Sequence, residues 1–207
     1  MNISKRKKHD SHGKIDVMQD RSIQRKNHYK QHFGEIDVPI YHSTDDIDPH
    51  IDIYQFPPSD DRRYWTFITG GMSNLPQTLP DGQQHYTELL TYANEPQPWI
   101  PNILKKVAEF PMRNNTFFYW GQTLDYGTVT DTTPTLLTAF ILLPPYFESD
   151  DLNILKFDGD PVHFLWCVPI TERECAYAVE HGSEALFDLM AKVDLDIAIN
   201  VSRESII

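Results

Sequence analysis

The sequence predicts an α+β fold in which a mixed, largely antiparallel sheet is flanked by helices within a single domain. Three observations favour it. Strand-like runs follow one another across short turns, two long apolar runs lie in the second half, and helical stretches do not alternate strictly with strands. The 207 residues, 40% of them hydrophobic, are enough to bury one sizeable core.

The N-terminal segment is basic and weakly patterned. Residues 1–15 are rich in lysine and histidine and show no apolar period, so we expect them to be mobile. Residues 17–33 carry a weak helical stripe that includes Tyr29, which predicts a peripheral helix. We therefore expect a tail with a peripheral helix over residues 1–33 and a folded domain over residues 34–207.

Strands open the predicted domain. Short, turn-rich links between the first three predict an antiparallel meander. The three strands are residues 36–41, 51–56 and 64–69, joined by an acidic turn at 43–46 and a proline-containing turn at 57–60. Residues 85–92 predict a fourth strand.

A helix and two further strands follow. Residues 98–110 place Ile100, Leu104 and Val107 on one helical face, and Pro111 is expected to end this helix. The continuous apolar runs at residues 136–143 and 162–170 are typical of central strands.

The last predicted helices have clear boundary signals. Thr171, with Glu174 three residues later, forms the pattern of a capping box. Gly182 suits a helix C-terminal cap, and Ser183 begins a further helix. Local residue chemistry therefore predicts where these helices start and stop.

Charge is distributed unevenly along the chain. The net charge is −12, but residues 1–33 hold nine Lys or Arg against three Asp, whereas residues 34–207 hold nine against twenty-seven acidic residues. Phosphate binding needs clustered Lys and Arg, so this acidic body argues against a nucleic-acid partner and favours a basic protein. We find neither an apolar run long enough to cross a membrane nor a secretory signal, and expect a cytoplasmic protein of undetermined oligomeric state.

The segment 63–82 has a shaped exit from a strand. An aromatic and β-branched run ends at Gly70 and Gly71, which are followed by Met72, Ser73 and a polar loop with prolines. Glycine adopts positive φ angles at low cost, and a sharp exit from a sheet often needs them. We predict a positive φ at Gly71.

No motif predicts catalysis or a cofactor. Ser73 lacks the second glycine of a nucleophile elbow, and neither a phosphate-binding loop nor a dinucleotide fingerprint is present. Cys167 and Cys175 are predicted to be structural thiols rather than a disulfide.

Two histidine pairs raise the question of a metal site. His28 and His32 have helical i,i+4 spacing, while His50 and Asp52 share one face of a strand. Neither pair has further ligands at a recognisable spacing, so we predict no metal and interpret His50 and Asp52 as a hydrogen-bonded structural pair.

The threonine-rich segment 123–135 is the strongest candidate for a binding site. Thr123, Asp125, Tyr126 and Asp131 lie in it, directly before an apolar strand. Such a segment suits an adaptable loop or an exposed sheet edge to which a peptide adds as a strand. An ordinary polar connection explains it equally well, and the sequence leaves both interpretations open.

The order of these motifs resembles the Suppressor of Fused domain family. The opening signature is a strand, Thr-Gly-Gly-Met-Ser, a Pro-Asp-Gly loop and Thr-Glu-Leu, within residues 63–90. The other matching segments are His-Ile-Asp-Ile-Tyr at 50–54, the helix around 99–111, Gly-Gln-Thr at 121–123, Leu-Leu-Pro-Pro at 142–145, and the segments 164–174 and 178–186. The similarity covers about residues 34–203. Gln122 stands where many relatives carry histidine, which argues against metal or proton chemistry there.

The resemblance implies a non-enzymatic binding module. Animal members of this family sequester a transcription factor by gripping a short peptide as a strand, and single-domain bacterial relatives are proposed immunity proteins that neutralise toxin domains. We therefore expect a cytosolic sequestering protein with a protein partner and no cofactor, and assign partner binding to the segment 123–135. His50, Asp52, Gly71, Met72 and Ser73 are expected to be structural motif residues.

Two alternatives stay open. One is a hydrolase with an unrecognised site that uses His50, Asp52 or His85 beside Ser73. The other is a signalling scaffold. A cleft with at least three converging, perturbed polar groups would favour the hydrolase.

Overall fold

A computed structural model describes the backbone of residues 4–36, 40–42, 49–130 and 132–207, and their side chains from Val17 onward. The helices are α1 (Ser4–Phe33), α2 (Trp99–Asn114), α3 (Glu172–His181) and α4 (Ser183–Lys192). The strands are β1 (Asp52–Phe56), β2 (Trp65–Gly70), β3 (Gln77–Thr78), β4 (Gln84–Ala93), β5 (Thr123–Asp125), β6 (Leu137–Leu143), β7 (Lys156–Phe157), β8 (Asp160–Thr171) and β9 (Ala198–Ile199). Short 3₁₀ turns lie at Met72–Asn74 and Asp150–Ile154.

The strands form one mixed sheet in the order β1-β2-β4-β8-β6-β5. β4 runs parallel to β8 and to β9, and every other pairing in the described chain is antiparallel. The two long apolar runs become β6 and β8, and β8 lies between β4 and β6, where both of its edges are paired. The predicted α+β class and the largely antiparallel sheet are confirmed.

Each face of the sheet packs against helices. On one face, Tyr29 and Phe33 of α1 join Ala178 of α3 and Leu186 of α4 in a core with inward side chains of the strands. On the other face, the apolar stripe of α2 covers a second core. Burying both faces explains why β6 is apolar at almost every position.

Helix α1 differs from the prediction. It begins at Ser4, within the segment expected to be mobile, and it is not peripheral, because Arg25 and Tyr29 are fully buried. The Tyr29 hydroxyl donates to the Thr69 carbonyl at 2.7 Å, and burial raises the pKa of this phenol. The helix buries an arginine and a histidine beside its aromatic residues, so its apolar period is weak.

Two other boundaries also differ from the prediction. Helix α2 continues through Pro111 to Asn114, and the left-handed Asn115 caps it by donating its N–H to the Pro111 carbonyl. A proline inside a helix removes one backbone donor, and here only three further residues of α2 follow it. The strand predicted at 36–41 is reduced, at its described positions, to one bridge between Tyr41 and Ile53, and the turn 43–46 lies outside the described residues.

Several local predictions are confirmed. The capping box is complete: Thr171 accepts from the Glu174 N–H, and the Glu174 carboxylate accepts from the Thr171 N–H. Gly182 caps α3. Cys167 and Cys175 are free thiols, and burial raises the pKa of Cys167.

Among the residues described, no helix combines the length and apolar character needed to cross a membrane.

Candidate functional site

A buried carboxylate organises the loop that follows β2. Glu88 of β4 is 0% exposed and accepts hydrogen bonds from Thr69 Oγ1 at 2.6 Å and from Ser73 Oγ at 2.5 Å. The backbone N–H groups of Gly71 and Ser73 donate to Glu88 Oε1, the same oxygen that accepts from Ser73 Oγ, at 3.0 and 3.1 Å. Arg25 Nη1 lies 3.5 Å from Glu88 Oε1 and supplies the opposite charge. Burying a carboxylate is costly unless it is paired, and here charge and hydrogen bonds both compensate.

Gly71 has the positive φ that the sequence predicts, with a value of 128°. A Cβ atom at this position would overlap the carbonyl oxygen of His50. Met72 points into the core beneath α2. The Gly-Gly-Met-Ser segment therefore forms a tight turn that packs against the chain at the start of β1.

Ser73 and His85, two groups of the hydrolase alternative, contact different partners. Ser73 is buried, donates to Glu88 and accepts from Arg25 Nη1 at 3.0 Å. His85 instead stacks on His163 with ring centroids 4.3 Å apart, and burial, followed by the charge of His163, lowers the pKa of His85 to about 4. Among the described residues, Ser73 has no hydrogen bond to a histidine that could activate it.

His50 and Asp52 form the predicted pair, with His50 Nε2 3.1 Å from Asp52 Oδ1. A third residue joins them, since His42 Nδ1 lies 3.0 Å from the same oxygen. Sequence reasoning missed His42 because it lies eight positions before His50 along the chain.

The predicted binding segment contains the edge strand of the sheet. β5 pairs with β6 on one side only and is the last strand in the order. Gln122 and Tyr126 bond to the β6 backbone, and Leu124 pairs opposite Phe140 between them. In an antiparallel ladder, alternate residues bond to the same neighbour, so the main-chain groups of Thr123 and Asp125 point away from β6 towards the open edge.

A cleft of about 330 Å³ runs beside this edge strand. Phe110 and Phe118 line it from the α2 side, and Ala178 and Val179 line it from α3 on the opposite face of the sheet. Val179 is 75% exposed. The edge of β5 is therefore accessible, and apolar side chains border it above and below.

The other predicted binding residues are placed differently. Tyr126 packs on Phe140 and faces a separate groove against α2, which also carries Lys105 and Lys106. Asp131 lies outside the described residues. Thr123 and Asp125 are thus brought together at the sheet edge, whereas Tyr126 belongs to a neighbouring surface.

Sequence reasoning missed two contributors to these surfaces. Glu88 is an acidic residue within an apolar strand, which signals a buried polar role, but the sequence does not name its partners. Val179 lies in an ordinary helix and becomes notable only because α3 packs beside β5. Both roles depend on residues that are distant in the chain.

These features define a class of protein: an α+β domain with a helix-covered sheet and an accessible edge strand at β5. The chain belongs to the suppressor of fused protein (SUFU) family, whose model matches residues 48–204. The resemblance seen in the motifs is therefore confirmed.

Solved structures share the fold. A SUFU homologue from Neisseria gonorrhoeae FA 1090 has a TM-score of 0.72 at 18% identity and covers 91% of this chain and 98% of that chain. The structure described as the Sufu-Fu complex has a TM-score of 0.67 at 14% identity over 90% of this chain and 92% of that one. Drosophila Suppressor of Fused has a TM-score of 0.58 at 14% identity, covering 76% of this chain and 42% of that one.

One curated relative is similar in sequence over a limited stretch. It is named "Immunity protein YqcF", from Bacillus subtilis (strain 168), and is 36% identical over 67 residues. The match covers 32% of this chain and 34% of the relative, so it spans about a third of each protein.

Proposed function

We propose that this protein is a non-enzymatic module that binds an extended segment of a basic protein partner along the free edge of β5. The observation that carries the proposal is the outward main chain of Thr123 and Asp125 on the edge strand β5, whose Thr123 lines an open cleft. An incoming strand would bond to these groups, and its alternate side chains would enter the cleft on either side.

The proposed partner is a toxin domain, which this protein neutralises in the cytoplasm as an immunity protein. The match to a relative named as an immunity protein supports this role, and a relative solved in the Sufu-Fu complex supports a protein partner. The acidic composition supports a basic partner, because opposite charges accelerate encounter. The burial of Ser73 against Glu88 supports a binding role over a hydrolytic one.

Proline substitution tests strand addition directly. Thr123→Pro removes an N–H that does not bond to β6, so the fold should be retained while the incoming strand loses a partner. We expect at least a tenfold weaker affinity in calorimetric titration of the partner, identified by affinity capture and mass spectrometry. Retained affinity in a folded Thr123→Pro variant would refute strand addition at this edge.

Charge reversal tests the proposed basic partner. Asp125 is exposed at the edge, and Asp60 is an exposed aspartate in the turn between β1 and β2, near the opposite end of the sheet. Asp125→Arg should weaken binding by tenfold or more through local repulsion, whereas Asp60→Arg changes the net charge equally and should alter affinity little. Equal effects would mean that the acidic body attracts the partner only at long range.

Two further variants map the extent of the interface. Asp131→Arg should weaken binding if the partner continues along the segment 123–135, and Tyr126→Ala should do so if the partner also enters the α2 groove. Rescue of bacterial growth against the expressed toxin domain, and its loss in Thr123→Pro, tests the immunity role separately from binding.

A further inference from the structure

A three-residue cluster of metal-ligating side chains lies at the opposite edge of the sheet from β5. His42, His50 and Asp52 each offer one ligand atom, and these three atoms all lie within 4.8 Å of one another. We propose that this cluster binds a divalent transition-metal ion, with Zn²⁺ as the natural occupant. The family match gives no reason for this site, and the sequence motifs predict none.

The backbone places these side chains together. Tyr41 and Ile53 form an antiparallel bridge, with N···O distances of 2.9 and 3.0 Å, which sets His42 directly opposite Asp52. His50 lies two residues before Asp52, on the same side of an extended chain. The three ligands therefore come from two chain segments that hydrogen bonds hold in register.

A second contact fixes the position of His50. Gly71 lies so close to the His50 carbonyl that a side chain at position 71 would overlap the carbonyl oxygen. The loop that carries Gly71 is in turn tied to the buried Glu88. The backbone of the site is thus anchored to the core, which lowers the conformational cost of gathering the ligands.

The distances agree with a tetrahedral ion. Both imidazole nitrogens lie about 3 Å from Asp52 Oδ1, at 3.0 Å for His42 and 3.1 Å for His50. With metal–ligand bonds of about 2.0 to 2.2 Å, tetrahedral ligand atoms lie about 3.3 to 3.6 Å apart. An ion could therefore enter after Asp52 Oδ1 moves a few tenths of an ångström away from the two imidazole nitrogens.

The donor set selects the kind of ion. Two imidazoles and one carboxylate suit Zn²⁺ and its first-row neighbours, whereas Mg²⁺ and Ca²⁺ prefer oxygen ligands alone. His42 and His50 are 64% and 49% exposed, so a fourth coordination position faces solvent. Three protein ligands with one open position leave room for water or for a ligand from another molecule.

A bound metal ion at this cluster would connect two parts of the fold. The ion would link the segment around His42 to the start of β1 and hence to the Gly71 loop. Ligands that bind the folded state alone raise apparent stability with concentration. Zn²⁺ should therefore raise the thermal unfolding midpoint of the full chain, while Mg²⁺ should not.

The test is titration of the tag-free full chain with ZnCl₂ by calorimetry, repeated with Co²⁺ to follow the visible spectrum of a tetrahedral site. We expect one ion per chain at this cluster. Loss of residues that only orient metal ligands typically costs 10- to 100-fold in affinity, so His50→Ala and Asp52→Asn should each cost at least as much.

His181→Ala is the matched control. His181 is an exposed histidine beside one carboxylate, with its Nε2 3.8 Å from Glu180. It should leave Zn²⁺ affinity and the Co²⁺ spectrum unchanged. The proposal is overturned if the wild type shows no saturable binding, or if folded His42→Ala and His50→Ala bind as tightly as the wild type. The latter result would assign the ion to other histidines, such as those near the N-terminus.

Discussion

Substitution of Gly71 tests whether the tight turn after β2 depends on the absence of a side chain. At φ 128° an L-residue pays a conformational cost of about 1 to 3 kcal/mol. The added Cβ of Gly71→Ala also meets the His50 carbonyl, a backbone atom that cannot rotate away, and overpacking of this kind costs about 1 to 3 kcal/mol more. The expected loss is therefore about 2 to 6 kcal/mol, a large part of the stability of a typical domain.

Gly82→Ala separates the two contributions. Gly82 also has a positive φ, of 85°, but its Cβ would meet nothing within 4 Å. It should pay only the conformational cost and lose less than Gly71→Ala by about 1 to 3 kcal/mol. Urea unfolding followed by circular dichroism measures both variants. Equal losses would refute the role of the His50 contact, and a neutral Gly71→Ala would refute the strained turn itself.

Two further predictions concern buried charge. Burial lowers the pKa of His85 to about 4, so below pH 6.5 the unfolded chain binds a proton that the folded one excludes. Above pH 6.5 this histidine therefore does not lower the free energy of unfolding, but as the pH drops towards 4 it lowers it by up to about 3 kcal/mol. Urea unfolding across this range should show a shallower decline in stability for His85→Phe than for the wild type. Identical pH profiles for the two proteins would contradict this prediction. Arg203 binds the buried Glu174 through two hydrogen bonds of 2.6 Å, so Arg203→Ala should lower the free energy of unfolding by about 3 to 5 kcal/mol in the same assay. Glu35→Gln, which breaks an exposed pair with Lys30, is the control and should lower it by at most about 1 kcal/mol. Similar losses in both variants would show that the Glu174 pair is not the cause.

The Glu174 pair also shows how competing effects set a pKa. Burial alone would raise the pKa of this carboxyl, but hydrogen bonds from Arg203 and from backbone N–H groups lower it overall. Residue 203 lies near the end of the chain, and its bonds to Glu174 and the Pro169 carbonyl fasten the C-terminal segment to β8 and α3. A cap identified from local sequence is therefore also a tertiary anchor.

The sequence by itself determined the features that depend only on neighbouring residues. The capping box at Thr171 and Glu174, the glycine cap at Gly182 and the positive φ at Gly71 depend on the chemistry of a few consecutive residues. The apolar runs that become β6 and β8 can also be predicted from the sequence, because a strand buried on both faces needs mostly apolar residues. Together with the ordered family motifs, they were enough to predict the fold class.

Other features depend on which distant residues meet, and only the tertiary structure decided them. Arg25 bonds to Ser73, which lies 48 positions away, so helix α1 became part of the core although its own pattern is polar. The partners of Glu88 and the contact between His42 and Asp52 could not be predicted for the same reason, because these residues come from separate chain segments. The sequence suggested a sheet edge near Thr123, but that edge is open because no strand of the described chain pairs with β5 on the side away from β6. Local sequence sets backbone preferences within a few residues, whereas strand order and buried charge pairs arise from contacts that form when the whole chain packs.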